Sequence, residues 1–293
     1  MTESVLTLTE VPAKTAGPET RETPKGSVLR TWPSEAARER IASILLPATA
    51  MLACLGLWLL YTHIPGVTLP GPDRVIVESR ELILHPFYDH GGSDLGLGWQ
   101  ILSSLKRVGL GYSLAAVVGI LLGLLVGSIK TLHKAFDPIF QVLRTIPPLA
   151  WLPIALATFN QAGPSAIFVI FITALWPILL NTAAGVHNIP RDYTQVAQVY
   201  RVRGFRYFRL ILLPATAPFL FTGLRIGVGL AWLAIVAAEM LTGGVGVGFF
   251  LWDCWNSGRL TDIVVAVAGI GLVGLALDRC VAGLATLVGA KAT

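Results

Sequence analysis

Six blocks of apolar sequence govern what this chain can become. They fall at residues 41–62, 104–127, 138–159, 165–182, 215–241 and 260–282. Most reach the roughly 20 residues that an α-helix needs to cross about 30 Å of hydrocarbon. In lipid no water pairs with a bare peptide group, so each block has to satisfy its own backbone as a helix. The expected fold class is therefore an all-α membrane protein with six transmembrane helices. Composition agrees, with 54% hydrophobic and only 13% charged residues, against about a quarter charged in a soluble domain. Two blocks carry breaks: Pro147, Pro148 and Pro153 interrupt the third, and Pro177 the fourth.

Lysine and arginine set the expected orientation. With the N-terminus inside, 15 of the 22 fall on the cytoplasmic side, five fall outside (Arg74, Arg80, Lys106, Arg107 and Arg259), and Arg144 and Arg225 lie within spans. Cytoplasmic loops carry such an excess, so both termini are expected to be cytoplasmic. The net charge of +5 is then a topological signal, and no basic-aromatic motif points to nucleic acid. Residues 1–40 are polar with four prolines and no early apolar core, which predicts a disordered cytoplasmic tail rather than a signal peptide. The first transmembrane helix follows at 41–63, then a periplasmic segment at 64–103 and a membrane core at 104–286. Cys54, Cys254 and Cys280 are too scattered for a disulfide framework or a metal site, so no metal is expected.

Within the spans three patterns stand out. Gly111, Ala115, Gly119, Gly123 and Gly127 recur at every fourth position, a ridge that lets helix backbones approach closely in lipid. Arg225, Trp232 and Glu239 are seven residues apart each time, on nearly one helix face. Ionisable groups in a span are costly and usually face a bundle interior or a watery path. Two readings stand: a stripe lining a conduit, or Arg225 snorkelling to the boundary, Trp232 packed and Glu239 among headgroups. The third pattern is Arg144 ahead of Thr145-Ile146-Pro147-Pro148-Leu149-Ala150-Trp151. Proline breaks a helix and suits the first turn of a restarted one. A restarted helix beside an arginine offers an anion site, with Trp151 one heptad on. The alternative is a plain kink with Arg144 at the cytoplasmic interface.

The connection at 183–214 is basic and helix-competent. Asn188-Ile189-Pro190-Arg191-Asp192 reads as a helix start, and Ile211-Leu212-Leu213-Pro214 leads into the fifth block. A short helix held between two membrane helices can dock in a partner's groove; a solvated basic loop is the alternative. This loop resembles that of the permease subunits of ABC importers, which runs Glu-Ala-Ala, three residues, Gly, nine residues, Ile-x-Leu-Pro. Counting back from Pro214 puts Gln195, Val196 and Ala197 on the Glu-Ala-Ala and Arg201 on the Gly, with Ile211, Leu213 and Pro214 on the close. Only Ala197 and the closing turn keep the family residues. Residues 137–157, 165–186 and 221–253, with 85–100 between the first two spans, are similar to the nitrate/bicarbonate branch of the nitrate, sulfonate and taurine permeases.

The resemblance implies a type I ABC importer permease working as a homodimer, with two cytoplasmic ATPase subunits and an external solute-binding protein, in a bacterial inner membrane. It makes 183–214 the coupling loop and a small oxyanion the cargo, nitrate first, with nitrite or bicarbonate next. The 293 residues contain no Gly-Lys dipeptide and so no GxxxxGK[ST] phosphate loop. ATP and Mg are therefore expected on the partner ATPases, with no cofactor in this chain. Two rivals belong to other classes. An intramembrane enzyme needs a nucleophile–base pair inside the spans, whereas His63, His85, His90, His133 and His187 all fall near or beyond span ends. A passive anion channel would work without an ATPase.

Overall fold

A computed structural model describes residues 35–92, 94–287 and 289. Those residues form twelve α-helices and no strand; one isolated bridge joins Asp89 to Leu95. The helices are α1 (Glu35–Thr62), α2 (Pro72–Glu78), α3 (Arg80–Leu84), α4 (Leu97–Ser128), α5 (Lys130–Leu143) and α6 (Leu152–Phe159). They continue as α7 (Ala162–His187), α8 (Arg191–Val199), α9 (Gly204–Tyr207), α10 (Leu213–Thr242), α11 (Val247–Asn256) and α12 (Leu260–Leu287). Among the described residues five helices are long and apolar enough to cross a membrane, or six if one bent pair counts as a span. The expected all-α membrane fold is therefore met.

The chain divides into two compact units at Cys54/Leu55. The first is described from Glu35, so the tail expected at 1–40 lies mostly outside the described residues. Helix α1 already includes 35–40, because Glu-Ala-Ala-Arg-Glu-Arg are good helix formers that extend the apolar run backwards. Leu45, Leu46, Met51 and Leu52 are all exposed, apolar surface that suits lipid.

In the second unit α7 is the central post, packed between α4 and α10. The small-residue ridge of α4 makes this possible, as expected. A methyl group on Gly123 would stand 2.7 Å from both the Leu179 carbonyl oxygen and Thr182 Cβ, and one on Gly119 would stand 2.9 Å from Ile178 Cγ2. On the other side of α7, one on Gly223 of α10 would stand 2.8 Å from the Pro177 carbonyl. Ile170, Ala174 and Ile178 of α7 are fully buried between Ala115 of α4 and Ala231 and Ile235 of α10. Gly123→Val is expected to lower stability by about 1–3 kcal/mol through overpacking. Gly109→Val, on the open face of α4 with nothing within 4 Å, is the control. Thermal midpoints of the two purified variants check this.

Three blocks differ in detail from their sequence outlines. Helix α4 begins at Leu97, seven residues before the apolar block, because Gly96 can start it under the Pro86 and Tyr88 backbone. Helix α7 runs unbroken past Pro177, as membrane helices tolerate when neighbours meet the freed backbone groups. The third block is not one rod: α5 and the segment Pro148–Phe159 bend by 91°. The cause is local, since Pro147 is extended (φ −54°, ψ 131°) and Pro148 opens a 3₁₀ turn over Pro148–Trp151.

Candidate functional site

The 91° bend opens a cavity of about 400 Å³. Arg144, Ile146, Pro148 and Trp151 line it from the bend, Thr173, Trp176 and Asn181 from α7, and Ile226 and Leu230 from α10. Arg144 caps α5 with its backbone N–H on the Phe140 carbonyl. Its guanidinium has no carboxylate or hydrogen-bond partner among the described residues. The indole N–H groups of Trp151 and Trp176 are likewise unpartnered among the described residues, whereas Trp99 and Trp232 donate to carbonyls. Asn181 spends one amide hydrogen on the Pro177 carbonyl at 2.7 Å, and the Thr173 hydroxyl turns back to Val169. No carboxylate lines the space. A concave, mostly apolar wall with a few convergent donors around one bare cation suits a small anion. Arg144 and Trp151, one heptad apart in sequence, are brought together here.

The α10 stripe also lies on one face, and each member has a partner inside the chain. Arg225 makes a bidentate pair with Asp278 of α12, its Nη2 2.7 Å from Oδ2. Trp232 is buried, donating to the Ile270 carbonyl at 3.0 Å. Glu239 is 1% exposed and gathers three donors. It accepts from Arg107 Nη1 at 2.6 Å, from Ser104 Oγ at 2.8 Å and from the Gly248 N–H at 3.0 Å. Alongside it, the Gly246 N–H donates to Gln100 Oε1 at 2.7 Å and the Val247 N–H to Ser104 Oγ at 2.9 Å. Three orphan N–H groups at the start of α11 are thus met by α4 and α10, with a negative charge where the helix dipole favours one. Gly246 makes the approach possible, because a Cβ there would stand 2.5 Å from the Glu239 carboxylate oxygens. Glu239 thereby joins α4, α10 and α11, and its carboxylate faces Arg107 rather than the cavity.

Asp278, Arg107, Ser104 and Gln100 were not singled out from sequence. Asp278 did carry a signal, as an acid inside an apolar block. The others sit 132 to 139 positions from Glu239, spread over the first three turns of α4. Between α3 and α4, burial and then Asp94 push the Tyr88 phenol above its usual range. Arg259 bridges Asp253 at 2.8 Å and Asp262 at 3.2 Å, tying α11 to α12.

The loop at 183–214 is helical, as expected. Pro190 precedes α8, and Asp192 sits in its first turn. Ala197 is buried, while Gln195 and Val196 face outward. Helix α8 ends in a Schellman motif: the Val202 N–H bonds the Ala197 carbonyl at 2.8 Å and the Arg201 N–H the Gln198 carbonyl at 3.1 Å. That motif needs a left-handed residue, and Arg201 supplies it with φ +52°. This is the position that the loop resemblance assigns to glycine. An L-residue there costs about 1–2 kcal/mol. Helix α9 and a π turn at Phe208–Leu212 then lead into α10, where Pro214 needs no N–H in the first turn. Ile211 and Pro214 line a groove with Tyr193, Leu210 and Ala215, and Leu213 opens α10.

Residues 116–293 match the family described as "Binding-protein-dependent transport system inner membrane component". The nitrate import permease protein NrtB of Synechocystis sp. is 56% identical over 84% of this chain and 89% of that protein. The bicarbonate transport system permease protein CmpB of Synechococcus elongatus is 51% identical over 88% of this chain and 92% of that protein. In fold, a chain of the MetNI methionine ABC transporter covers 64% of this chain and 95% of its own length, with a TM-score of 0.52 at 18% identity. The family match begins inside α4 and takes in the bent span, the cavity and the basic loop together. This chain therefore belongs to the binding-protein-dependent transport system inner membrane components, the permeases of ABC transporters.

Proposed function

We propose that this permease carries a small planar monovalent oxyanion, nitrate first, into the cytoplasm at the expense of ATP hydrolysed on partner subunits. The observation that carries the proposal is the cavity at the bend. Arg144 is a bare cation there, two indole N–H groups are free, and no carboxylate competes for them. Nitrate has three acceptor oxygens and no hydrogen, so a donor-lined site serves it fully. The 56% identical relative named as a nitrate permease supports the same choice. Bicarbonate is the second reading, favoured by the 51% identical relative named for bicarbonate.

In this proposal two copies of the chain face each other, the charge-rich ends are cytoplasmic, and α8 with Arg201 engages an ATPase subunit that binds ATP and Mg. An external binding protein delivers the anion at the Glu239 end. Alternation between outward- and inward-open states is then a population shift biased by ATP and the loaded binding protein.

The test is uptake by the reconstituted complex with nitrate, bicarbonate and taurine in competition. Nitrate is expected to stimulate ATP turnover and to be displaced weakly or not at all by taurine. Turnover driven by taurine alone would remove the anion assignment. Anion flux without ATPase subunits would replace the importer with a passive channel.

A further inference from the structure

We infer that Asn181 is a specificity-determining residue of the cavity, an acceptor that reads the hydroxyl of bicarbonate and so admits that anion beside nitrate. The inference rests on the proposed function, in which the cavity is the anion's path. The cavity holds two kinds of polar group. Its donors are the Arg144 guanidinium and the indole N–H groups of Trp151 and Trp176, all without a partner among the described residues. Its acceptors come from one row of α7, at Thr173, Pro177 and Asn181. These are four residues apart each time and lie on one helix face. The Thr173 hydroxyl spends its hydrogen on the Val169 carbonyl and keeps its lone pairs. Pro177 has no N–H to return to the Thr173 carbonyl. Asn181 donates an amide hydrogen to the Pro177 carbonyl at 2.7 Å. That carbonyl can only accept, which fixes the NH₂ end of the amide there. Asn181 Oδ1 is left without a partner among the described residues. Thr173 is buried and Asn181 half-buried, so Asn181 is the accessible member of the row. Its root is held against α10, since a methyl group on Gly223 would stand 2.9 Å from Asn181 Cβ.

The two anions use this arrangement differently. Nitrate carries no hydrogen, so it takes the donors and gains nothing from the row. Water in a space of about 400 Å³ can then meet the α7 oxygens. Bicarbonate is also planar and singly charged. It can present two oxygens to the Arg144 fork while its O–H donates to Asn181 Oδ1. A site able to pair a hydroxyl discriminates by whether the ligand brings one.

The experiment uses full-length permease in phosphatidylcholine nanodiscs, without any partner protein, so that only this chain's own preference is read. Wild type, Asn181→Leu, Asn181→Ala and Asn181→Thr are titrated with nitrate and with bicarbonate at mildly alkaline pH, chloride holding the ionic strength constant. The rise of the unfolding midpoint with each anion gives its apparent affinity. Asn181→Leu and Asn181→Ala should each lower the bicarbonate-to-nitrate affinity ratio about tenfold, the scale of one hydrogen bond to a charged ligand. Asn181→Thr should hold the ratio within about twofold. Its hydroxyl can spend its hydrogen on the same Pro177 carbonyl and keep its lone pairs for the cavity. Taking a ratio divides out any general change in stability. An unchanged ratio in the leucine and alanine variants overturns the inference. So does a wild type that binds nitrate and not bicarbonate. A wild-type midpoint that neither anion raises is a different result: it removes the cavity as an anion site and the proposed function with it.

Discussion

Glu239→Ala is expected to destabilise the chain by about 3–5 kcal/mol, the usual result of removing one partner of a buried ion pair. The carboxylate is 1% exposed and the Arg107 side chain 23% exposed, so the guanidinium cannot simply turn to water. Three further groups lose their acceptor or their position with it. The Gly248 N–H is left bare, Ser104 loses its acceptor, and the α11 start loses the negative charge at its dipole. Glu239→Gln should cost less, because an amide oxygen still serves Gly248 while Arg107 goes unpaired. Pairing Arg107→Met with Glu239→Ala should recover part of the loss, as removing both charges avoids an orphan. Thermal midpoints of the purified variants decide it. A drop on the order of 10 °C is expected for the alanine variant from the usual scaling of midpoint with stability. A midpoint within a degree or so of wild type would show that the pair does not hold α11 in place.

The second large effect falls on transport and leaves the fold alone. Under the proposed function, Arg144→Gln should reduce ATP-dependent anion uptake by about 100-fold or more, the scale of losing a hydrogen-bonded charge against an anion. Assembly should persist, because Arg144 is exposed to the cavity and holds no other element. Arg144→Lys should retain part of the activity, since a point charge attracts the anion without the planar fork of guanidinium. The readout is uptake in proteoliposomes beside a gel-filtration profile of the complex. Unchanged uptake with Gln would exclude the cavity as the anion's path, and aggregated protein would show a structural role instead.

Much of this architecture was legible in the residues. The apolar blocks demanded helices because a bilayer leaves backbone groups no alternative, and the α4 glycine ridge announced a close helix contact. Proline at 147 and 148 announced the break beside Arg144, and the resemblance of the loop to the permease motif put Arg201 where that motif has a glycine. The angle of the bend was not readable, nor was the wall that α7 and α10 supply to the cavity. Arg225, Trp232 and Glu239 are the instructive case. Their heptad spacing placed them on one face correctly, but could not say what that face meets.

Sequence by itself therefore determined the spans, the breaks and the helix faces, because lipid and backbone chemistry act locally along the chain. Only the tertiary structure decided which charges remain uncompensated. Asp278 neutralises Arg225, and Arg107 pairs with Glu239 across more than a hundred residues. Arg144 is left bare in the cavity. Ion pairing depends on distances of a few ångströms between remote segments, which no local pattern encodes.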